Sequence, residues 1–334
     1  MERKLASIQR VESIAPIAGA DKIVKARVMG WDVVVKKGEL GVGDPCVFFE
    51  IDAVLPEGPD WAEFMRPRGF RLKTVRLRGV LSQGLALPVS ILPEGTVFEI
   101  GRDVTALLGV RKHEPVLPDT REIAGPFPSR VPKTDEIRLQ SALAVLDEIR
   151  GRPFVITTKL DGSSITYLRE SPSDLAVCSR NWALARSEGA AAWRVARELE
   201  LEQKLPVDVA LQGELCGPGI QKNRLGLAKT GFFAFSAYDV RAARYLAHDA
   251  LVALCGELGV PMVPVERRVE GEEAVAFEHS LERYLELARG LYAGTQRRKE
   301  GIVVRPLEEA RSEVLGGRLS FKVISNEFLL EDED

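Results

Sequence analysis

Cysteine and histidine are scarce in this sequence. Its four cysteines, Cys46, Cys178, Cys216 and Cys255, form no C-x-x-C pair, and its only histidines are His113, His248 and His279. That inventory gives no basis for a zinc centre or a disulfide framework, and free thiols suit a reducing compartment. A basic excess is also missing, since the formal net charge is −3. A chain that coats nucleic acid by overall charge is thereby excluded, although a local basic groove is not. No apolar run of about 18 residues occurs, and the opening "MERKLASIQRV" lacks the apolar core of a signal peptide. A soluble, cytoplasmic protein with no membrane partner is expected.

What is present is length enough for two domains, 334 residues, with 45% apolar and 28% charged side chains. Residues 1–112 read as short strands: "IVKARVMG", "WDVVVKKG", "DPCVFFEI", "GFRLKTVRLRG", "GLALPV" and "GTVFEI". Gly30, Gly38, Gly43, Gly58 and Gly79 punctuate them. That spacing predicts a small all-β barrel or sandwich. Residues 113–131 carry Pro115, Pro118, Pro126 and Pro128 with little apolar periodicity and read as a linker. In 132–334 a helix is predicted over "KTDEIRLQSALAVLDEIRG", capped by Thr134. Strands then alternate with helices at 189–204, 241–258 and 279–292, without a regular βαβ rhythm. The expected fold class is α+β, with antiparallel sheets flanked by helices behind an all-β front domain.

The chemistry centres on "VITTKLDGSSITYLRE". Asp161-Gly162 between two β-rich runs reads most simply as a hairpin turn. That leaves unexplained why Lys159 stands at the strand end beside an acid. Lys159 is either a solvated charge or a nucleophile. As a nucleophile it must lose its proton, through burial or nearby positive charge. Its targets would be a carbonyl, giving a Schiff base, or a nucleotide α-phosphate. Downstream segments favour phosphate: Arg180, Glu214, Glu300, Arg305 and Lys322 follow in strand-like contexts. Cations can clamp phosphate oxygens, while carboxylates hold a divalent metal and its waters.

That ordered set resembles the covalent nucleotidyltransferase superfamily of polynucleotide ligases and mRNA capping enzymes. "KLDGSS", "SRN", "GEL", "FFAF", "KEGIVVR" and "SFKVIS" are similar to its successive motifs. The resemblance implies a C-terminal nucleotidyltransferase (ATP-grasp-like) domain that uses ATP with Mg²⁺ or Mn²⁺. Lys159 would take AMP. Leu160, Asp161, Gly162, Ser164, Arg180, Glu214, Phe235, Val303, Arg305 and Lys322 would bind the nucleotide. Asp161, Glu214 and Glu300 would serve the metal, Phe235 would stack on adenine, and Gln221 and Lys222 would meet nucleic acid. Two positions depart from the pattern: Ser236 replaces an aspartate common after the aromatic, and Ile324 stands where a second lysine is usual.

Residues 1–112 resemble the oligonucleotide-binding (OB) barrel appended to some aminoacyl-tRNA synthetases. The segment "RPRGFRLKTVRLRG" holds Arg66, Arg68, Arg71, Lys73, Arg76 and Arg78 and no acid. Such a run suits a phosphate backbone or merely guards an edge strand. Its charges fall on odd and then even positions, so the strand must bulge near Thr74 or show charge on both faces. A barrel that precedes the motifs, with only residues 323–334 after Lys322, resembles the Deinococcus-type RNA ligases. That likeness implies a monomer that seals 3′-OH/5′-phosphate nicks in duplexes whose 3′-OH strand ends in RNA. The alternatives are an RNA- or tRNA-binding protein with an inactive nucleotidyltransferase fold, a DNA ligase, or a GTP-dependent capping enzyme.

Overall fold

Strand pairing in the front third is organised by one long strand. The computed structural model describes residues 3–113 and 122–331. These divide into two compact units: residues up to 113 with 139–143 and 329–331, and residues 122–138 with 144–328. The first unit contains β1 (Ala6–Pro16), β2 (Ile23–Val28), β3 (Trp31–Lys36), β4 (Pro45–Phe49) and β5 (Ala53–Val54). It continues with β6 (Thr74–Leu77), β7 (Val80–Gln83), β8 (Leu85–Pro88) and β9 (Arg111–Lys112). The sheet order is β3-β2-β1-β4-β8. Ala6–Arg10 of β1 pair with β4, whereas Val11–Pro16 pair with β2 across an irregularity between Val11 and Ser13. A bulge there bends the strand and lets the sheet curl. On the far side Val34 N of β3 donates to Ser82 Oγ of β7 at 2.9 Å. Trp31, Val33 and Phe48 pack in one buried cluster, and Ile8, Phe49 and Phe70 in another.

Two details differ from the sequence expectation. "GTVFEI" is not a strand, and its Val97, Phe98 and Ile100 are exposed. The parity conflict in the basic segment dissolves because β6 is short. Arg71 lies before it, in an isolated bridge to Val54, and Arg78 lies after it, in the turn to β7. Neither a bulge nor charge on both faces is needed.

The second unit opens with β10 (Ile123–Pro126), β11 (Ile137–Arg138), α1 (Val145–Ile149), β12 (Phe154–Lys159) and β13 (Ser163–Ser171). Next come β14 (Asp174–Cys178), β15 (Trp182–Leu184), α2 (Ala191–Glu198), α3 (Leu201–Lys204), β16 (Val209–Cys216) and β17 (Gly231–Asp239). Then follow β18 (Arg244–Tyr245), α4 (His248–Leu258), β19 (Val265–Val269), α5 (Gly271–Ala276) and α6 (Leu281–Leu287). The unit's last strands are β20 (Gly301–Pro306), β21 (Arg311–Ser312), β22 (Gly317–Arg318) and β23 (Phe321–Ile324), before α7 (Asn326–Glu331). One sheet runs β10-β15-β14-β13-β16-β17-β18 and the other β11-β23-β20-β12-β19. No helix among the described residues is long and apolar enough to cross a membrane.

Three expectations change here. The linker does not extend to 131: Ile123–Pro126 pair with β15, and Phe127 and Val131 are buried. Its residues 114–121 lie outside the described chain. The helix expected from Thr134 is broken. Ile137–Arg138 instead pair with β23, Leu139–Ser141 make a 3-10 turn, and only Val145–Ile149 are α-helical. Leu139 and Ile149 are fully buried, but tertiary pairing overrode helix propensity.

The third change concerns the turn at Asp161-Gly162. β12 pairs with β19 and β20, whereas β13 pairs with β14 and β16. Residues 160–162 therefore carry the chain from one sheet to the other and close no hairpin. Gly162 is required by proximity: a Cβ there would lie 2.4 Å from Leu215 O and 2.8 Å from Glu214 Cγ. Because the nearest atom is backbone, relief needs strand movement. Gly162→Ala is expected to lower stability in urea unfolding by about 1–3 kcal/mol, as overpacking does. A variant of unchanged midpoint would contradict that account.

Candidate active site

Pleat and register decide which side chains meet. Directly paired residues project to the same side of a sheet. Thr157, Val303, Lys322 and Arg138 stand in one row across β12, β20, β23 and β11, and Lys159 shares their side two residues along β12. In the other sheet Ser164, Glu214 and Phe233 form a row. The opposite face of that sheet buries Ile165, Tyr167, Leu211, Leu215 and Phe232 against α2, α3 and α4. The chain crossing at 160–162 thus brings the Lys159 row and the Glu214 row together.

Lys159 Nζ donates to Glu300 Oε2 at 2.8 Å. Burial disfavours its charge, but Glu300, Glu214 and Asp161 outweigh burial and hold the amine above the ordinary lysine range. The protein's own groups therefore keep it a cation. A neutral nucleophile requires further positive charge at the carboxylates. Glu214 is shifted as well. Burial pushes it up to about 7, with Glu300 and Asp161 adding to the shift and Lys159 opposing it. Lys322 moves the other way: burial, then the charges of Lys159 and Arg138, bring it down to about 7.

Among the described residues no three His, Cys, Asp or Glu converge closely enough to cage a metal. Asp161, Glu214 and Glu300 instead bring three carboxylates to bear on one amine. That donor set fits Mg²⁺ or Mn²⁺ holding most of its own waters.

Three supports of this site were not legible in the sequence. Arg224, in the loop after β16, has Nε 3.2 Å from Asp161 Oδ2 while its guanidinium lies over Phe328. Glu266 of β19 accepts from Thr158 Oγ1 at 2.9 Å and from Lys299 Nζ at 2.6 Å, tying the residues that precede Lys159 and Glu300. The Tyr292 hydroxyl reaches the backbone of Lys159, Asp161 and Glu300. Only the helix and strand context of these residues shows in the sequence, and no spacing marks them.

The remaining expected nucleotide residues are placed as follows. Leu160 is buried in a cluster with Cys216, Val263 and Tyr292, against which Phe233 and Phe235 pack. Phe235 is the extra residue of a bulge, since Gln212 opposes Ser236 and Gly213 opposes Ala234. Ser164 Oγ lies 2.6 Å from Thr134 Oγ1, and Arg180 is ion-paired with Asp135. A phosphate role for Arg305 does not fit the geometry. Its buried guanidinium donates to Ser320 Oγ at 2.9 Å, Phe235 O at 3.0 Å and Glu136 Oε1 at 2.6 Å, so it positions Phe235. Gln221 Nε2 donates to Gly162 O at 3.3 Å, and the Lys222 carbonyl accepts from Arg297. The departure at Ser236 also has a partner: its Oγ accepts from Arg318 at 2.7 Å.

In the first unit, Arg66 pairs with Glu63 and Arg71 with Asp52, so two of the six expected nucleic-acid cations have acidic neighbours. Arg68, Lys73, Arg76 and Arg78 are exposed. Trp61 stacks on Phe49, and Phe70 is buried, so both belong to the core.

The Lys322 shift has a stability consequence. Its folded value, about 7, lies below the unfolded lysine value, so the unfolded chain binds the extra proton between these limits. The penalty is absent above about pH 10.5, grows as pH falls, and is level below about 7. Lys322→Met is expected to raise Tm by an increment that grows from pH 10 to pH 7. A pH-independent increment in thermal melts would contradict the assignment.

Comparisons with known proteins give the family. A model described as an OB-fold domain matches residues 5–89, and the RNA ligase family model matches 152–324. No curated protein matches. The chain is similar to a Naegleria gruberi RNA ligase solved with PPi, at 37% identity, TM-score 0.89 and coverage of 100% of both chains. Two mutants of that ligase, one with AMP and Mn and one with ATP and Mn, match at 37% identity and TM-score 0.87, covering 98% of each chain. This chain belongs to the RNA ligase family, with an OB-fold domain ahead of its ligase domain.

Proposed function

We propose that the chain seals 3′-OH/5′-phosphate nicks in duplex nucleic acid through an AMP carried on Lys159, using ATP and Mg²⁺ or Mn²⁺. One observation carries this reading: Lys159 stands at the crossing between two sheets, 2.8 Å from Glu300 and under the charges of Glu214 and Asp161. The structures of the similar Naegleria ligase with ATP and Mn, and with AMP and Mn, support the choice of nucleotide and metal class.

Asp161, Glu214 and Glu300 would hold the divalent cation. When bound, that ion supplies positive charge against the carboxylates and the nucleotide's phosphates. The chain's own part is then defined. The Lys159 amine, relieved of its carboxylate partners, gives up a proton to solvent and attacks the α-phosphorus of ATP, its second proton following to solvent as the phosphoramidate forms. An N–P bond forms, the bond to the β-phosphate oxygen breaks, and pyrophosphate leaves. Lys322, on the same face as Lys159, is the cation placed to meet phosphate oxygens, and phosphate would draw its proton back. Phe235, held through its carbonyl by Arg305, offers a ring to the base.

In the second step a 5′-phosphate oxygen attacks the same phosphorus, the N–P bond breaks, and Lys159 regains its protons. In the third the 3′-hydroxyl attacks the 5′-phosphorus and AMP departs. We place RNA on the 3′-OH strand, with exposed Arg68, Lys73, Arg76 and Arg78 of the barrel as backbone contacts. The working form is proposed to be a cytoplasmic monomer.

Incubation with α-³²P-ATP and Mg²⁺ or Mn²⁺ should label the protein through an acid-labile bond, and Lys159→Ala should abolish the label. Label persisting in that variant removes Lys159 from the chemistry, and label from GTP alone indicates a capping enzyme. On matched nicked duplexes, a ribonucleotide at the 3′-OH end should be sealed at least about 10-fold faster than a deoxynucleotide, a loss of one hydrogen-bonded hydroxyl's worth. Equal rates would overturn the RNA assignment.

A further inference from the structure

Tyr292 belongs to none of the segments to which nucleotide chemistry is attached. It sits on a short turn between α6 and β20, where Leu291 bridges Arg298 and Tyr292 N donates to Arg297 O at 2.9 Å. The side chain is buried, with its ring among Leu160, Cys216 and Val263. Its hydroxyl donates to Lys159 O at 3.1 Å and accepts from Asp161 N at 2.9 Å and Glu300 N at 3.0 Å. One donor and two acceptor sites are the whole capacity of a phenol, and all three are used.

These partners come from two chain segments far apart in sequence: Lys159 and Asp161 at the crossing between sheets, and Glu300 at the start of β20. Pairing in the sheet ties Lys159 to Gly301, but that ladder ends there. Asp161 lies beyond β12, where no ladder fixes it, and its amide would otherwise be a buried donor in want of an acceptor. A single oxygen thus fixes three backbone points whose side chains are the amine and two of its three carboxylates.

We infer that Tyr292 is a positioning residue: its hydroxyl sets the distance and direction between the Lys159 amine and the Asp161 and Glu300 carboxylates, and so governs the rate of the first step without binding ATP. This rests on the reading of Lys159 as the AMP carrier. The ring's apolar contacts do not require the hydroxyl, so Tyr292→Phe keeps the packing and removes only the three hydrogen bonds. Positional freedom at an attacking atom is costly, with about 100-fold in rate for a displacement near 1 Å.

The test is single-turnover labelling with α-³²P-ATP over a range of ATP concentrations, for wild type, Tyr292→Phe and Lys159→Ala. The expected result is a limiting rate about 10- to 100-fold lower in Tyr292→Phe, with half-saturating ATP within about 2-fold of wild type. A limiting rate within about 2-fold of wild type would overturn the inference, as would a rise in half-saturating ATP with the limiting rate unchanged. Should Tyr292→Phe not fold, Thr295→Val serves in its place. The Thr295 hydroxyl donates to Tyr292 O and accepts from Arg297 N, so its loss loosens the turn that presents the ring. The same split, with a smaller fall in rate, is expected, and an unchanged rate overturns. Labelling of Lys159→Ala would sink the underlying reading itself, an outcome distinct from a normal rate in Tyr292→Phe alone.

Discussion

The ion pair between Lys159 and Glu300 is the contact on which the ligase domain's arrangement turns. It joins the last residue of β12 to the residue before β20, neighbours in one sheet, just where the chain leaves for the other. Burying an amine without a partner is expensive, and burying three carboxylates without a cation is more so. Each resolves the other. The outcome is a lysine held protonated by protein groups alone and a Glu214 pushed up to about 7 by burial, with Glu300 and Asp161 adding to the shift. Asp161, Glu214 and Glu300 would hold a divalent cation here, and its charge would offset the carboxylates that keep the amine protonated. Structural need and chemical control come from the same few groups.

The departures from the superfamily pattern fit this balance. Ile324 is buried, stands opposite Gly301, and Gly301 in turn opposes Lys159. A lysine at 324 would put another positive charge in register with Lys159 and lower its proton affinity. With isoleucine there, the carboxylates act on Lys159 with less opposition, and Lys322 is the cation left on that strand's active face. Gly301 is tightly constrained as well, since a Cβ would lie 2.1 Å from Val323 O. Ser236 is no vacancy either: it accepts from Arg318, whose guanidinium also pairs with Glu309 and lies over Tyr245. That cluster adjoins Arg305, the residue that fixes Phe235.

Much of the site was legible because strand alternation is local. "FVITTKL", "VALQGEL" and "GIVVRP" each declare a strand, and motif order then supplies Lys159, Glu214 and Glu300. What failed was pairing, which is not local. Asp161-Gly162 carries a hairpin's residues but joins strands of different sheets, and Gly162 answers to the backbone of Leu215 rather than to a turn. The helix expected from Thr134 lost Ile137 and Arg138 to the edge of β23, although Leu139, Leu146 and Ile149 of that segment are buried. β1 escaped notice because it serves two partners through a bulge, which breaks its alternation. Arg224, Glu266 and Tyr292 carry no spacing signal at all, since each acts on segments distant in sequence.

Together the carboxylates outweigh burial in setting the proton affinity of Lys159. Titrating that amine by ¹⁵N NMR in metal-free protein, wild type and Glu300→Gln, tests it directly. The account predicts a wild-type midpoint above the ordinary lysine value that falls in Glu300→Gln, where burial acts with less opposition. A wild-type midpoint already below the ordinary value, or one indifferent to the substitution, would contradict it.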